Sequence, residues 1–432
     1  MRAALEFLRR YIQFDTSHKN EMAAAQWLAS ELRSRVTRDV IVHEPAPGRG
    51  LVIARVAGSE PLRPLLVNHH IDVVAADPRQ WSHPPFAGEV AEGNLYGRGA
   101  LDDKGIGVAF LFALQELVRE GAAFRRPVVF TAVPDEETDG QAGTAWLVEH
   151  HAAALDPEWV WDEGGAGFTG ILGPRPYFAV ATCEKQMHTV RVTAAGTPGH
   201  GSMPHGDNPN DKLIRSLRWV LNNPRPIRLS GTTRTMLREL SQSQSPAARV
   251  LVERLDNPLA RRIASGRLSK DPQVNALLRD TISVNVIRGG KQVNVIPDTA
   301  EALLDCRLLP ETDPDEFDRW LRLELGKQVE IEVLQRSPRA PSSPLDSPLY
   351  AALGSAGMAA VPDAGSVPLQ LPAVTDARFW RARGVPAYGF APFMMTRADL
   401  DSIHGIDERI SGENLTLGIR IAKDVMTRVC IA

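Results

Sequence analysis

The chain has 432 residues, of which 43% are hydrophobic and 23% charged, with a formal net charge of −3. That length exceeds one typical core, so two domains are expected. The near-neutral balance excludes the basic footprint of a nucleic-acid-binding protein, and no apolar run reaches the length of a membrane span.

Met1–Asp15 mixes apolar residues and arginines at helical spacing and lacks the continuous apolar run of a secretory signal, so it is read as part of the fold. Asn20–Arg35 has helical spacing, and Leu51–Val56 and Pro64–Val74 read as strands. Gly105–Glu120 reads as an amphipathic helix, Arg126–Val133 as a buried strand, Ala142–His151 as a helix and Glu158–Trp161 as a short strand. This alternation predicts an α/β fold with a mainly parallel sheet covered by helices. After about Glu184 the character changes. A strand over His188–Ala194, a helix over Asn210–Leu221, strands over Thr281–Ile287 and Ala300–Leu309, a helix over Asp315–Gly326 and a strand over Val329–Leu334 give a β-α-β-β-α-β order. That order suits an inserted α+β sandwich. Between them, Asn222–Asp280 reads as polar and irregular, and Pro338–Pro348 as a return linker. The expected division is a main domain from residues 1–185 and 337–432, and an inserted domain from 186–336. Cys183, Cys306 and Cys430 are few and far apart. They suggest neither a disulfide framework nor a structural zinc site, so a reducing cytoplasm is expected.

Five polar clusters carry chemistry. His70-Ile71-Asp72 ends a strand, where alternate residues share a face, so Asp72 can support His70 as a metal ligand. Alone, it reads equally as a loop histidine beside a capping aspartate. Tyr96–Gly105 contains Gly-Arg-Gly-Ala-Leu-Asp102-Asp103-Lys-Gly before a helix. It is no nucleotide loop, because Asp102 stands where a third glycine is needed and would repel a pyrophosphate. A cation ligand or a helix cap remains. Asp135-Glu136-Glu137 follows a buried strand, where one carboxylate can bind metal while its neighbour stays free as a general base. A solvated acidic turn is the alternative. Asp162-Glu163-Gly164-Gly165 and His404-Gly405-Ile406-Asp407-Glu408 are each weak alone. Together the clusters offer two histidines, three carboxylates and a spare glutamate, an inventory for two zinc ions with open positions. Neither a His-Glu-x-x-His helix nor a Gly-x-Ser-x-Gly elbow occurs.

In this order the His-x-Asp, Gly-Arg-Gly-x-x-Asp-Asp-Lys-Gly and Asp-Glu-Glu motifs resemble the aminoacylase/carboxypeptidase family of co-catalytic zinc hydrolases. The resemblance runs from Phe14-Asp15-Thr16-Ser17 to His404. It implies that His70, Asp102, Glu137, Glu163 and His404 bind two Zn²⁺ (Co²⁺ or Mn²⁺ being alternatives), with Asp102 bridging. It also implies that Glu136 is the general base and that Asp72 orients His70. Glu163 is preferred to Asp162 because it precedes Gly164, as in the aminoacylase-like branch. The run Gly196–Pro204 resembles the family's lid motif, which would make His200 an oxyanion donor reaching into a partner subunit. Asn294, Arg307 and Arg378 become candidates for gripping a substrate carboxylate, bidentate arginine being suited to it. Each arginine can instead serve a structural ion pair. Val374-Thr375-Asp376, the His404–Glu408 run and the long Asn222–Asp280 stretch lean towards the dipeptidase and carboxypeptidase S-like branch.

The expected function is hydrolysis of a peptide or amide bond beside a free carboxylate by a homodimer. An N-acyl-amino-acid deacylase using the same site is the alternative, and a non-catalytic metal-stabilised binding protein the reading from another class. Small peptides or N-acyl amino acids are the expected partners, with no nucleic acid and no membrane.

Overall fold

A computed structural model describes residues 2–242, 246–255, 257 and 270–431. The chain divides into two compact units. The first comprises Met1–Cys183, Ser342–Leu369 and Thr375–Ala432, and the second Glu184–Pro341 with Gln370–Val374.

The first unit is built on an eight-stranded sheet. Its order is Val40–Ala46, Arg49–Val56, Val128–Val133, Leu65–His70, Trp159–Phe168, Ala387–Met395, Tyr177–Glu184 and Gly365–Leu371. The middle strands, from Val128–Val133 to Ala387–Met395, run parallel, and antiparallel strands flank them. Such a sheet needs cover on both faces, which explains its near-continuous apolar strands. On one face Leu66, Val129 and Val160 pack with Leu147, Leu155 and Trp380 from two helices. On the other, the helix Lys104–Arg119 is buried along most of its length and packs against Arg2–Ile12 and Gly412–Cys430.

Three elements differ from expectation. The helix expected from Ala142 starts regularly only at Trp146, after a π-helical turn over Gln141–Ala145. Gly143 makes that turn possible, because a Cβ there would sit 1.9 Å from the carbonyl oxygen of Pro134. The strand expected to end at Trp161 continues to Phe168, so Asp162 and Glu163 lie within a strand and face opposite ways. Asn222–Asp280, read as irregular, holds the helices Gly231–Ser241, Pro246–Glu253 and Pro272–Leu278 among its described residues. The first is capped by Ser230, whose side chain accepts the N–H of Thr233. Residues 243–245, 256 and 258–269 of that stretch lie outside the described residues.

The second unit holds a four-stranded antiparallel sheet in the order Thr281–Gly289, Thr299–Leu308, Gln186–Ala195 and Glu330–Arg336. The helices Pro209–Asn222 and Pro314–Leu325 cover one face, packing Leu213, Leu217, Phe317 and Leu321 onto Val190, Val192 and Leu304. Both helices start on a capping side chain, Asn208 or Asp313, followed by proline at the first turn. Alternating burial along Gln186–Ala195 follows from cover on a single face.

Candidate metal centre

Parallel strands deliver their chemistry at their carboxyl ends. His70 is the last residue of Leu65–His70 and pairs in register with Val133, so Asp135-Glu136-Glu137 emerges beside it. The preceding His69 points the other way. It is fully buried, with its ring between the Thr131 carbonyl and the Tyr11 hydroxyl, and burial drives its pKa down to about 3. Strand alternation thus separates a neutral core histidine from one that faces the acidic cluster.

His70 Nε2 lies 3.0 Å from Asp102 Oδ1 and 3.8 Å from Glu163 Oε1. Asp102 Oδ2 lies 3.1 Å from His404 Nε2, which is also 3.1 Å from Glu137 Oε2. The donors therefore form two groups, His70–Asp102–Glu163 and Asp102–Glu137–His404, with ligand atoms within 4.8 Å of one another. Asp102 belongs to both, presenting one oxygen to each. Asp162 instead turns away, accepting the side-chain amide of Asn68 at 3.0 Å.

The donor set fits divalent cations. Burial first, and then repulsion from neighbouring carboxylates, holds Glu136, Glu163 and the fully buried Asp103 well above the usual carboxylate range. His404 is pushed up to about 10, mainly by its hydrogen bonds to Asp102 and then Glu137. Concentrated negative charge around two imidazoles is what a metal pair neutralises.

Asp72 supports the cluster differently from the simplest expectation. His70 Nδ1 lies 2.8 Å from the Asp72 backbone carbonyl and 3.7 Å from its carboxylate. The carboxylate is engaged elsewhere, accepting the backbone N–H groups of Glu136 and Glu137 at 3.3 and 3.2 Å. Glu136 belongs to neither donor group. Its side chain is 9% exposed and lies 4.0 Å from Arg378. Arg378 is itself buried, donating to the carbonyls of Thr375 and Asp139 at 2.7 and 2.9 Å. Its guanidinium faces Glu136 with two of its nitrogens already engaged.

Glu408 went unassigned although its motif stood out. It is fully buried and accepts Arg98 Nη1 at 2.8 Å together with the backbone N–H groups of Gly99, Leu101 and Asp102 at 3.0, 2.8 and 3.1 Å. It ties the loop carrying Asp102 to the loop carrying His404. Its signal was a second acidic residue four places after a candidate ligand.

In the second unit, His200 and Asn294 come together. His200 pairs in register with Val295, and Gly201 N–H donates to the Asn294 carbonyl at 2.7 Å. His200 is exposed, and its Nδ1 accepts the Ser202 backbone N–H at 3.2 Å. An accepting Nδ1 leaves the proton on Nε2. Arg307 does not join them. It sits near the far end of Thr299–Leu308, eight residues from Thr299 or ~26 Å at the usual rise. There it forms a fork with Asp305 at 2.8 and 3.3 Å.

A cluster of this chemistry at the carboxyl edge of a parallel sheet defines a candidate site for divalent metal. Comparison with known proteins narrows the class. The family model described as peptidase family M20/M25/M40 matches residues 66–428. The chain is 32% identical to an N-fatty-acyl-amino acid synthase/hydrolase of Xenopus tropicalis, over 88% of this chain and 75% of that protein. It is 28% identical to aminoacylase-1A of Rattus norvegicus, over 99% and 95%. Its fold matches that of an M20 family metallo-carboxypeptidase from Sulfolobus solfataricus with a TM-score of 0.71 at 17% identity, covering 99% of each chain. The protein belongs to the M20/M25/M40 peptidase family and is a hydrolase of peptide or amide bonds. Among the described residues no helix is long and apolar enough to cross a membrane.

Proposed function

We propose that the protein cleaves a peptide or amide bond adjacent to a free carboxylate, in the manner of a dipeptidase or carboxypeptidase. In this reading His70, Asp102, Glu137, Glu163 and His404 hold two zinc ions, and Glu136 is the general base. The observation that carries it is the pair of donor groups sharing Asp102, with an uncommitted glutamate beside them. Zinc ions held there would supply Lewis acidity and a more acidic water; cobalt or manganese suits the same donors. Glu136 accepts the proton of the attacking water and returns it to the leaving nitrogen. The Asp72 carboxylate fixes the backbone that aims Glu136. His200, protonated on Nε2, donates to the developing oxyanion.

His200 and Asn294 come together beside the pairing of Gly199–His200 with Val295–Ile296, whereas Arg307 lies on the separate strand Thr299–Leu308, in keeping with a homodimer in which one copy lends His200 and Asn294 to its partner's site. Arg378 then serves the substrate carboxylate within the unit that holds the metals, and Arg307 stays a candidate for the same task in the second unit. Arg378 first has to release a carbonyl, so we give it a share in holding Glu136 as well. The three cysteines are buried and unbridged, in keeping with a cytoplasmic setting.

The relatives' names favour a second reading, an N-acyl-amino-acid deacylase built on the same site. A panel of dipeptides and N-acyl amino acids, assayed with zinc, cobalt or manganese, separates the two. Amidating the substrate carboxylate is expected to lower kcat/KM by ~10–100-fold, the worth of a hydrogen bond to a charged group. Equal turnover of amidated substrates counts against recognition of the carboxylate.

Glu408→Gln is expected to weaken metal affinity by ~10–100-fold, as the loss of an outer partner of a ligand does. Turnover should return as metal is titrated in. A variant whose metal dependence matches the parent would show that the loop carrying Asp102 holds without the Glu408 charge.

A further inference from the structure

The turn that carries Glu136 and Glu137 is anchored from behind by a buried guanidinium that the proposed chemistry does not use. Arg49 opens the strand Arg49–Val56, and its side chain is 5% exposed. Its Nη1 lies 3.0 Å from Glu21, which immediately precedes the helix Met22–Arg35, and its Nη2 donates to the Asp135 carboxylate. That carboxylate also accepts the Ala142 N–H at 3.0 Å and the Thr138 hydroxyl, while the Asp135 carbonyl takes the Gly140 N–H at 2.8 Å. Residues 135–142 are thus coiled around one side chain whose charge Arg49 meets. Asp135 has a φ of 78°, a left-handed conformation that a non-glycine residue keeps only where its surroundings hold it.

The two glutamates depend on this anchor unequally. Glu137 lies 3.1 Å from His404 and sits in a donor group. Among the described residues the Glu136 carboxylate accepts no hydrogen bond, and its ion-pair contact is the 4.0 Å approach of Arg378 noted above. Its aim therefore comes from its backbone, which Asp72 holds on one side and Asp135 on the other. We infer that Arg49, acting through Asp135, is a positioning residue that fixes the Glu136 carboxylate at the scissile bond. The inference rests on the reading of Glu136 as the base.

The test uses the full-length, metal-loaded enzyme. Arg49→Met is expected to lower kcat by ~10–100-fold with KM nearly unchanged and metal content intact, since a misplacement of about 1 Å costs up to ~10²-fold. Arg49→Lys, which restores a cation, should recover part of the loss. In a Glu136→Asp background, where the aim is already lost, the Arg49→Met penalty should shrink to less than ~3-fold, because residues that act as a unit are not additive. Equal penalties in both backgrounds would make Arg49 merely structural. Metal lost in step with activity, or a folded Arg49→Met enzyme with unchanged kcat, also overturns the inference. Should Arg49→Met not fold, Asp135→Asn breaks the same ion pair with little change of shape, and the same measurements decide. Undiminished turnover of Glu136→Gln would instead remove the base assignment, whatever Arg49 does.

Discussion

Glu136→Gln is expected to lower kcat by ~10²–10⁴-fold and to leave the metal content of the protein unchanged. Glutamine matches the shape of glutamate but cannot take a proton from water. On the proposed reading, the substitution therefore removes the chemical step and little else. Glu136 belongs to neither donor group, so the cations should stay. Its surroundings suit the role. Burial raises its carboxyl well above the ordinary range, His70 and Arg378 oppose the rise, and Asp376 and Glu137 add to it. A carboxylate whose pKa is raised by burial is a stronger base than one in water, and nearby cations would keep it ionised. Kinetics and metal analysis of one preparation check the prediction. Near-normal turnover with full metal would move the base elsewhere. Loss of metal together with turnover would make Glu136 a ligand.

The site was legible in the sequence to the extent that local rules govern it. His70, Asp102, Glu137, Glu163 and His404 stand in runs whose residue types already suggest metal, and in the fold they gather within a few ångströms. The parallel sheet was legible from β/α alternation, because strands buried on both faces are uniformly apolar. What escaped depends on contacts across the chain. No spacing could reveal that Asp72 gives its backbone carbonyl to His70 and its carboxylate to the next loop, since both geometries use the same triplet. Glu408 and Arg98 meet across about 310 positions. The edge strand Val40–Ala46 was missed because half-exposed strands mix polar and apolar residues without a clean period. The late start of the helix at Trp146 reflects the coil around Asp135, which overrides local helix preference. Arg307 read in the sequence as a grip for a substrate carboxylate or as half of an ion pair, and a carboxylate two residues away on the same strand face occupies it.

Asp102→Asn is expected to empty both metal positions, whereas Glu163→Gln and His404→Ala each empty one. The distinction follows from membership. Asp102 contributes an oxygen to each donor group, Glu163 only to the group with His70, and His404 only to the group with Glu137. An amide supplies one neutral oxygen where the site needs a charged carboxylate able to reach two cations, so neither position keeps its ligand field. The affinity loss should exceed the ~10–100-fold typical of an outer partner of a ligand. Activity should fall by ~10²-fold or more as the Lewis-acid contribution of several kcal/mol disappears. Counting metal atoms per chain after dialysis separates the outcomes, with about two expected for the parent protein on the dinuclear reading. A single remaining metal in Asp102→Asn, at the same level as in Glu163→Gln, would mean that the two groups do not share their ligand and that the dinuclear arrangement is wrong. His404 is half exposed while His70 is buried, so the outer position should also empty first under mild chelation. Activity that survives until the second metal leaves would assign the chemistry to the His70 side alone.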